Sequence, residues 1–366
     1  MHLSLRWGLS VLARFFLALT VCLSLPTGAV ELPLTDCPQS ALSCTSSCTV
    51  YTLTYSEELH HSGGGDEEFQ VPQSWRRIPL MSSNAWQEVT LKHCNWNVVS
   101  YGEDADGNCV AYTDYPDVLR TGRKYALEVV WELKLHHERE LADFSLAQSG
   151  TFDNMPRVLA QEYTRAEGVW ANAMLDERIR DTAFTLRDPC VLQTLYNIIG
   201  WVSGNIGYRV PDTPQYPEDV YYTKKGECED TSNLIVAFCR ILGIPAWLEV
   251  GFGVEPDWDG EWSNDLLHFS WLNYYPAAWA KVYVPNIGWL PVDWVASYRS
   301  GGPRTAKGAI THADILKPNF CLYYVNAHSD PMTARKEIFL GWNEGMFQTL
   351  YDHAMYLDVS VELVGI

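Results

Sequence analysis

A single cysteine at the start of a buried helix constrains this chain more than any other feature. Gly226 ends an incoming loop, and Cys228 follows with Glu229, Asp230, Thr231 and Ser232 in the next turn. Acidic and hydroxyl side chains belong in a first helical turn, where backbone N–H groups lack intrahelical partners. Leu234, Ile235, Phe238, Ile241 and Leu242 recur at helical spacing and predict a broad buried face. Gly243 supplies a left-handed stop, and Pro245 prevents continuation. Trp247, Leu248 and Val250 then suit a buried strand. A thiol at the positive end of a helix is expected to ionise readily, because the dipole and the free N–H groups favour thiolate. The alternative for Cys228 is half of a disulfide, and Cys239, inside the same helix, reads as a disulfide half or a core residue.

A second stretch, Tyr275–Trp294, reads as strand, turn, strand. Trp279, Lys281 and Tyr283 alternate with Ala280, Val282 and Val284, which is strand period. Pro285-Asn286-Ile287-Gly288 is a turn, and Trp289–Trp294 is the second strand.

Two motifs in this order carry a family resemblance. The first is Gly226-Glu227-Cys228-Glu229-Asp230 with Arg240-Ile241-Leu242-Gly243-Ile244-Pro245-Ala246. The second comprises Ala278-Trp279, Val282-Tyr283-Val284-Pro285, Gly288-Trp289, Pro291 and Asp293. Together they resemble the transglutaminase-like superfamily, whose core is papain-like. The resemblance implies a Cys, His, Asp triad, with Cys228 at the nucleophile and Asp293 at the carboxylate that orients the imidazole. The histidine position, immediately before Ala278-Trp279, is held by Ala277. His268, in Leu267-His268-Phe269, is a candidate substitute base or a core histidine. Trp279 and Trp289 are candidate substrate-binding residues or core.

The chemistry implied is attack of a thiolate on an amide carbonyl to form a thioester. The imidazole takes the thiol proton and returns it to the leaving amine. Water then gives hydrolysis, and an amine gives crosslinking. Alanine at 277 leaves two classes open. One is a cysteine-nucleophile acyltransferase or peptidase rescued by another base. The other is a catalytically inactive protein kept for binding or structure.

The expected fold class is α+β, an N-terminal β-sandwich followed by a papain-like core of helices packed on an antiparallel sheet. Residues 1–29 read as a signal peptide, with Arg6 and Arg14 in front, Phe15–Leu25 apolar and Thr27-Gly28-Ala29 as the cleavage site. A β-sandwich-like domain is expected over 30–143, and the core with a C-terminal extension over 144–366. Thr49–Ser56 and Tyr125–His137 alternate, the latter presenting Leu127, Val129, Trp131, Leu133 and Leu135 on one face. Glu138–Pro156 reads as a linker, and Val191–Gly204 as a helix with Leu192, Leu195, Ile198, Ile199 and Val202 inward. Leu357–Val364 is expected to complete the core sheet.

The net charge of −19 falls to −21 when Arg6 and Arg14 are removed with the leader. Such a charge opposes nucleic acid and anionic membrane surfaces. A protein or peptide partner outside the cytoplasm is the remaining expectation, with no membrane insertion after leader removal. Apart from Cys22 and Cys228, the cysteines are Cys37, Cys44, Cys48, Cys94, Cys109, Cys190, Cys239 and Cys321, an even set that in an exported chain reads as disulfides. The stretch Val254–Leu267 carries Glu255, Asp257, Asp259, Glu261 and Asp265, and reads as a solvated loop or a calcium site. Some members of the family resembled use calcium; no other cofactor is expected.

Overall fold

A computed structural model describes residues 48–61, 68–71, 76–81, 83, 87–103, 106–136, 145–209, 215–263, 267–295, 309–310, 319–325 and 353–365. Residues 1–29, read above as a signal peptide, and Cys37 and Cys44 lie outside the described residues. The named elements of the N-terminal part are strands: β1 (Cys48–His61), β2 (Glu68–Gln70), β3 (Arg77–Pro79), β4 (Gln87–Cys94), β5 (Val98–Glu103), β6 (Cys109–Thr113), β7 (Val118–Arg120) and β8 (Lys124–His136). Helices follow: α1 (Arg157–Tyr163), α2 (Ala171–Leu175), α3 (Glu177–Thr185), α4 (Val191–Asn205), α5 (Pro217–Thr223) and α6 (Cys228–Ile241). Two short strands, β9 (Gly207–Tyr208) and β10 (Lys225–Gly226), interrupt them. Then come β11 (Ala246–Val254), β12 (Gly260–Ser263), β13 (Leu267–Leu272), β14 (Tyr274–Val284), β15 (Gly288–Val292), β16 (Asn319–Val325) and β17 (His353–Gly365).

The core sheet runs β15-β14-β11-β16, all antiparallel. One face receives α6. Ala246, Leu248, Val250, Ala278, Ala280, Val282, Leu290 and Val292 share a hydrophobic cluster with Leu234, Ile235, Phe238 and the inward stripe of α4. That stripe, Leu192, Leu195, Ile198, Ile199 and Val202, is fully buried, so α4 backs α6 as its spacing implies. The α6 C-terminus closes as the sequence suggests: Gly243 has φ 81°, its N–H donates to Arg240 O, and the Ile244 N–H donates to Cys239 O at 2.8 Å.

The segment read as a linker behaves differently. Ser149–Pro156 packs on the core, with the Gly150 N–H donating to Pro285 O at 2.9 Å and Thr151 bridging to Cys190. Gly150 permits this approach, since a Cβ there would meet Pro285 Cβ at 2.7 Å. Composition alone cannot separate such a docked strap from a free linker.

A six-stranded sheet ordered β12-β13-β17-β1-β8-β4 forms the second layer system. β17 pairs antiparallel with β1 and parallel with β13, so Leu357–Val364 joins this sheet rather than the core sheet. Alternation marks a half-buried strand without naming its partner, which is why the sequence could not assign it. Leu53, Tyr55 and Leu59 of β1 and Leu127, Val129, Trp131, Leu133 and Leu135 of β8 turn inward. Their cluster also takes Ile78, Ala111 and Leu119 from the short sheets β3-β6-β5 and β2-β7, and Phe252, Val254 and Tyr274 from the core strands.

The disulfide expectation is not met at Cys94, Cys190 and Cys239, which carry free thiols. Cys239 is fully buried in the apolar cluster, and burial pushes its pKa up. A bridge needs a second Cβ within about 4 Å, whereas this thiol serves as a small core side chain.

Candidate active site

The thiol sits in a loop held by one carboxylate. Asp230 Oδ2 accepts the Glu227 N–H at 3.1 Å, and its Oδ1 accepts the Gln215 N–H at 3.1 Å. Asp230 therefore ties the entry to α5 to the residue before Cys228. Thr231 Oγ1 donates to Glu227 O at 2.5 Å, and the Thr231 N–H donates to the same oxygen at 3.0 Å. Gly226 is required at this approach, because a Cβ would meet Asp230 Cβ at 2.9 Å.

Half-buried Cys228 then faces β14. Ser232 Oγ donates to Ala278 O at 3.3 Å, and the Ala278 N–H donates to Cys228 Sγ. The thiol thus lies against the Ala277-Ala278 step. Ala277 is 7% exposed and stands opposite Gly251 of β11, so two small residues face each other. Asp293 is 5% exposed, follows β15, and has its N–H bonded to Ala309 O at 3.1 Å. The β14–β15 register pairs Ala280 with Val292. Extended by one pair it sets Asp293 beside Trp279, on the face that also holds Ala277. Asp293 acts electrostatically on the thiol. Cys228, the 277–278 step and Asp293 are thereby brought together.

The electrostatics run against the expectation from the helix dipole. Burial pushes the Cys228 thiol well up, and Glu227, Asp293 and Glu229 push it further, while the Ala278 N–H alone among these influences pulls it down. A helix terminus presents only about half a charge. Desolvation and three carboxylates oppose it.

His268 does not join this group. It stands on β13 opposite Ser263 and beside Tyr356 of β17. The β12–β13 pair prolongs the β11–β14 ribbon, with Glu255 N–H donating to Asn273 O at 3.1 Å at the junction. At about 3.3 Å per residue, His268 is roughly 30 Å of chain from Ala277. Trp279 and Trp289 are 4% and 7% exposed. The Trp279 indole N–H donates to Glu249 at 2.5 Å, and Trp289 packs on Trp247, Tyr163 and Tyr283. Both are committed to packing. In the acidic stretch, Asp259 Oδ1 accepts the Asn273 N–H at 3.1 Å, which turns the chain into β12.

Sequence reasoning missed Glu249 and Lys281, 7% and 6% exposed, whose side chains approach to 3.6 Å on the sheet face away from α6. The signal was present as opposite charges inside two apolar strands that the motif order makes neighbours.

Residues 180–294 match the transglutaminase-like superfamily. That stretch is transglutaminase-like in sequence. The matched segment runs from α3 to the residue after Asp293, and so contains the thiol loop, the 277–278 step and the carboxylate. No curated protein matches the chain. Among solved structures, a candidate cysteine protease from Cytophaga hutchinsonii is 10% identical over 88% of this chain and 92% of that chain, with a TM-score of 0.45. The periplasmic domain of TgpA from Pseudomonas aeruginosa, bound to ethylmercury, is 14% identical over 67% and 88%, with a TM-score of 0.30. Red sea bream transglutaminase is 11% identical over 73% and 54%, with a TM-score of 0.27.

Proposed function

We propose that this chain is a secreted transglutaminase-like protein that binds a protein or peptide without turning it over. Ala277 carries the reading. Cys228 faces the 277–278 step, and a methyl group neither accepts the thiol proton nor returns one to a leaving amine. Losing a general acid–base group typically lowers rates by about 10²–10⁴-fold. The carboxylates around Cys228 add to this by favouring thiol over thiolate. In this reading residues 30–143 form a β-sandwich-like module that also takes β12, β13 and β17 into its sheet, the rest of residues 144–366 forms the core, and the leader directs both out of the cytoplasm. The mature charge of −21 suits that location.

One observation favours a second reading, slow amide acyl transfer through Cys228. The Ala278 N–H that reaches Sγ would stabilise thiolate, and Asp293 stands by as a base. The two readings separate in one experiment. The full chain is incubated with glutamine-containing and amide-linked peptides, with and without a primary amine, and followed by intact mass and product release. The silent reading expects no acyl adduct and no product. An adduct or product that disappears in Cys228→Ala overturns it.

A further inference from the structure

A buried carboxyl lies where the six-stranded sheet meets the root of β14. Glu57 is 4% exposed, on the inward face of β1 between Tyr55 and Leu59. It pairs with Leu127 of β8 and Leu357 of β17. Tyr55 OH donates to Glu57 Oε2 at 2.9 Å. Tyr115, from the segment after β6, faces Glu57, and Tyr274, at the first position of β14, lies near Tyr55. The Tyr115 hydroxyl is buried without a hydrogen-bond partner. Tyr274 stacks on Phe252 of β11 at 5.2 Å, and both belong to the same apolar cluster as Leu53, Leu59 and Leu127. Three residues beyond Tyr274 stands Ala277, so the strand that meets the thiol is rooted in the Glu57 cluster.

We propose that Glu57 is a proton-operated latch between the N-terminal sheet and β14. Neutral, it seats Tyr274 and Phe252 against β1; ionised, it loosens that joint.

Among the described side chains, Tyr55 on its own strand and Tyr115 beyond β6 face Glu57, with Tyr125 of β8 behind Tyr115 and Tyr274 of β14 beside Tyr55. β11 contributes Phe252 and Val254, β3 Ile78 and β7 Leu119, none of them titratable. Burial raises Tyr55, Tyr115 and Tyr274 above the ordinary phenol range, so all three stay neutral around neutral pH. The charged neighbours Glu58, His60 and Lys124 pair with one another on the opposite face of the sheet. Burial pushes Glu57 from an ordinary 4.5 to about 7, and the Tyr55 hydroxyl only partly offsets this. A carboxyl raised on folding leaves the joint at full stability below pH 4.5, and that stability is lost as pH rises through about 7. Opening that exposes Glu57 should become roughly fifty- to a hundredfold more frequent between about pH 5 and pH 8.

The test is hydrogen exchange of the 274–278 amides in the full chain, corrected for intrinsic rates, across that range. The expected result is a loss of protection with rising pH in the native sequence and a flat profile in Glu57→Gln. An equal pH slope in both overturns the proposal. Should Glu57→Gln fail to fold, the native chain labelled with ¹³C at the glutamate carboxyl decides alone. One resonance moving near pH 7 is expected, and movement of every resonance at ordinary glutamate values overturns it.

Discussion

Ala277→His is the most informative perturbation of this site. The new imidazole would rise from the face of β14 shared with Trp279 and opposite Gly251, beside the residue whose N–H already reaches Cys228 Sγ. Asp293 lies diagonally across from position 277 on the neighbouring strand, a separation that side chains of this length span. Its carboxylate would accept one ring N–H and orient the other nitrogen toward sulfur. An imidazolium about 4 Å from a thiolate, at an effective dielectric constant of about 20, contributes roughly 4 kcal/mol, or about 3 pKa units. The thiolate fraction near neutral pH then rises about a thousandfold, while the lower basicity weakens each thiolate roughly twentyfold, for a net gain of about fiftyfold in alkylation rate. The assay is iodoacetamide labelling of Cys228 followed by peptide mass spectrometry over a pH series, with near-ultraviolet circular dichroism to check folding. Adding Asp293→Asn to Ala277→His should return much of the gain. A folded Ala277→His chain whose Cys228 alkylates at the native rate at every pH would refute the placement of the imidazole site.

The other predictions concern what holds the site in place. Lys281→Met strands the Glu249 carboxylate in a site where both partners are almost fully buried, and should destabilise by about 3–5 kcal/mol in urea unfolding, with Lys281→Met/Glu249→Gln recovering most of the loss. Arg240, 2% exposed, donates to Ala246 O and Arg165 O and lies 4.0 Å from the Trp170 ring, so Arg240→Ala should lower stability by about 3 kcal/mol or more; a loss below about 1 kcal/mol would contradict its bracing role. Gly150→Ala should destabilise by about 1–3 kcal/mol because the Cβ meets Pro285 at 2.7 Å, whereas Gly200→Ala, mid-helix with open space around it, should stabilise by about 1 kcal/mol; thermal unfolding of the pair checks both signs.

Much of the core was legible because its signals are local. The first turn at Cys228, the Gly243 stop, the period-two run from Trp279 to Tyr283 and the inward stripe of α4 each follow from backbone chemistry within a few residues. What escaped was set by distant parts of the chain. β17 could be read as a strand but not assigned to β1 and β13, because an alternating strand carries no address. Ser149–Pro156 looked like a linker, since docking shows only once Pro285 is opposite Gly150. At the site, Cys228, Ala277 and Asp293 were singled out through motif order. The direction of the thiol pKa was misjudged, because the helix dipole is visible in sequence while desolvation and the inward turn of Asp293 are not. His268, nine residues before Ala277, seemed near only along the chain.

The central claim is that Cys228 is held as a thiol with alanine, not histidine, at position 277. The direct measurement is the pH dependence of Cys228 alkylation in the native, folded chain, followed at the peptide that contains it. A silent thiol predicts a rate that is low at neutral pH and still climbing, without a plateau, well above the ordinary thiol range. A plateau reached near or below neutral pH, the mark of an ion-paired thiolate, would contradict it.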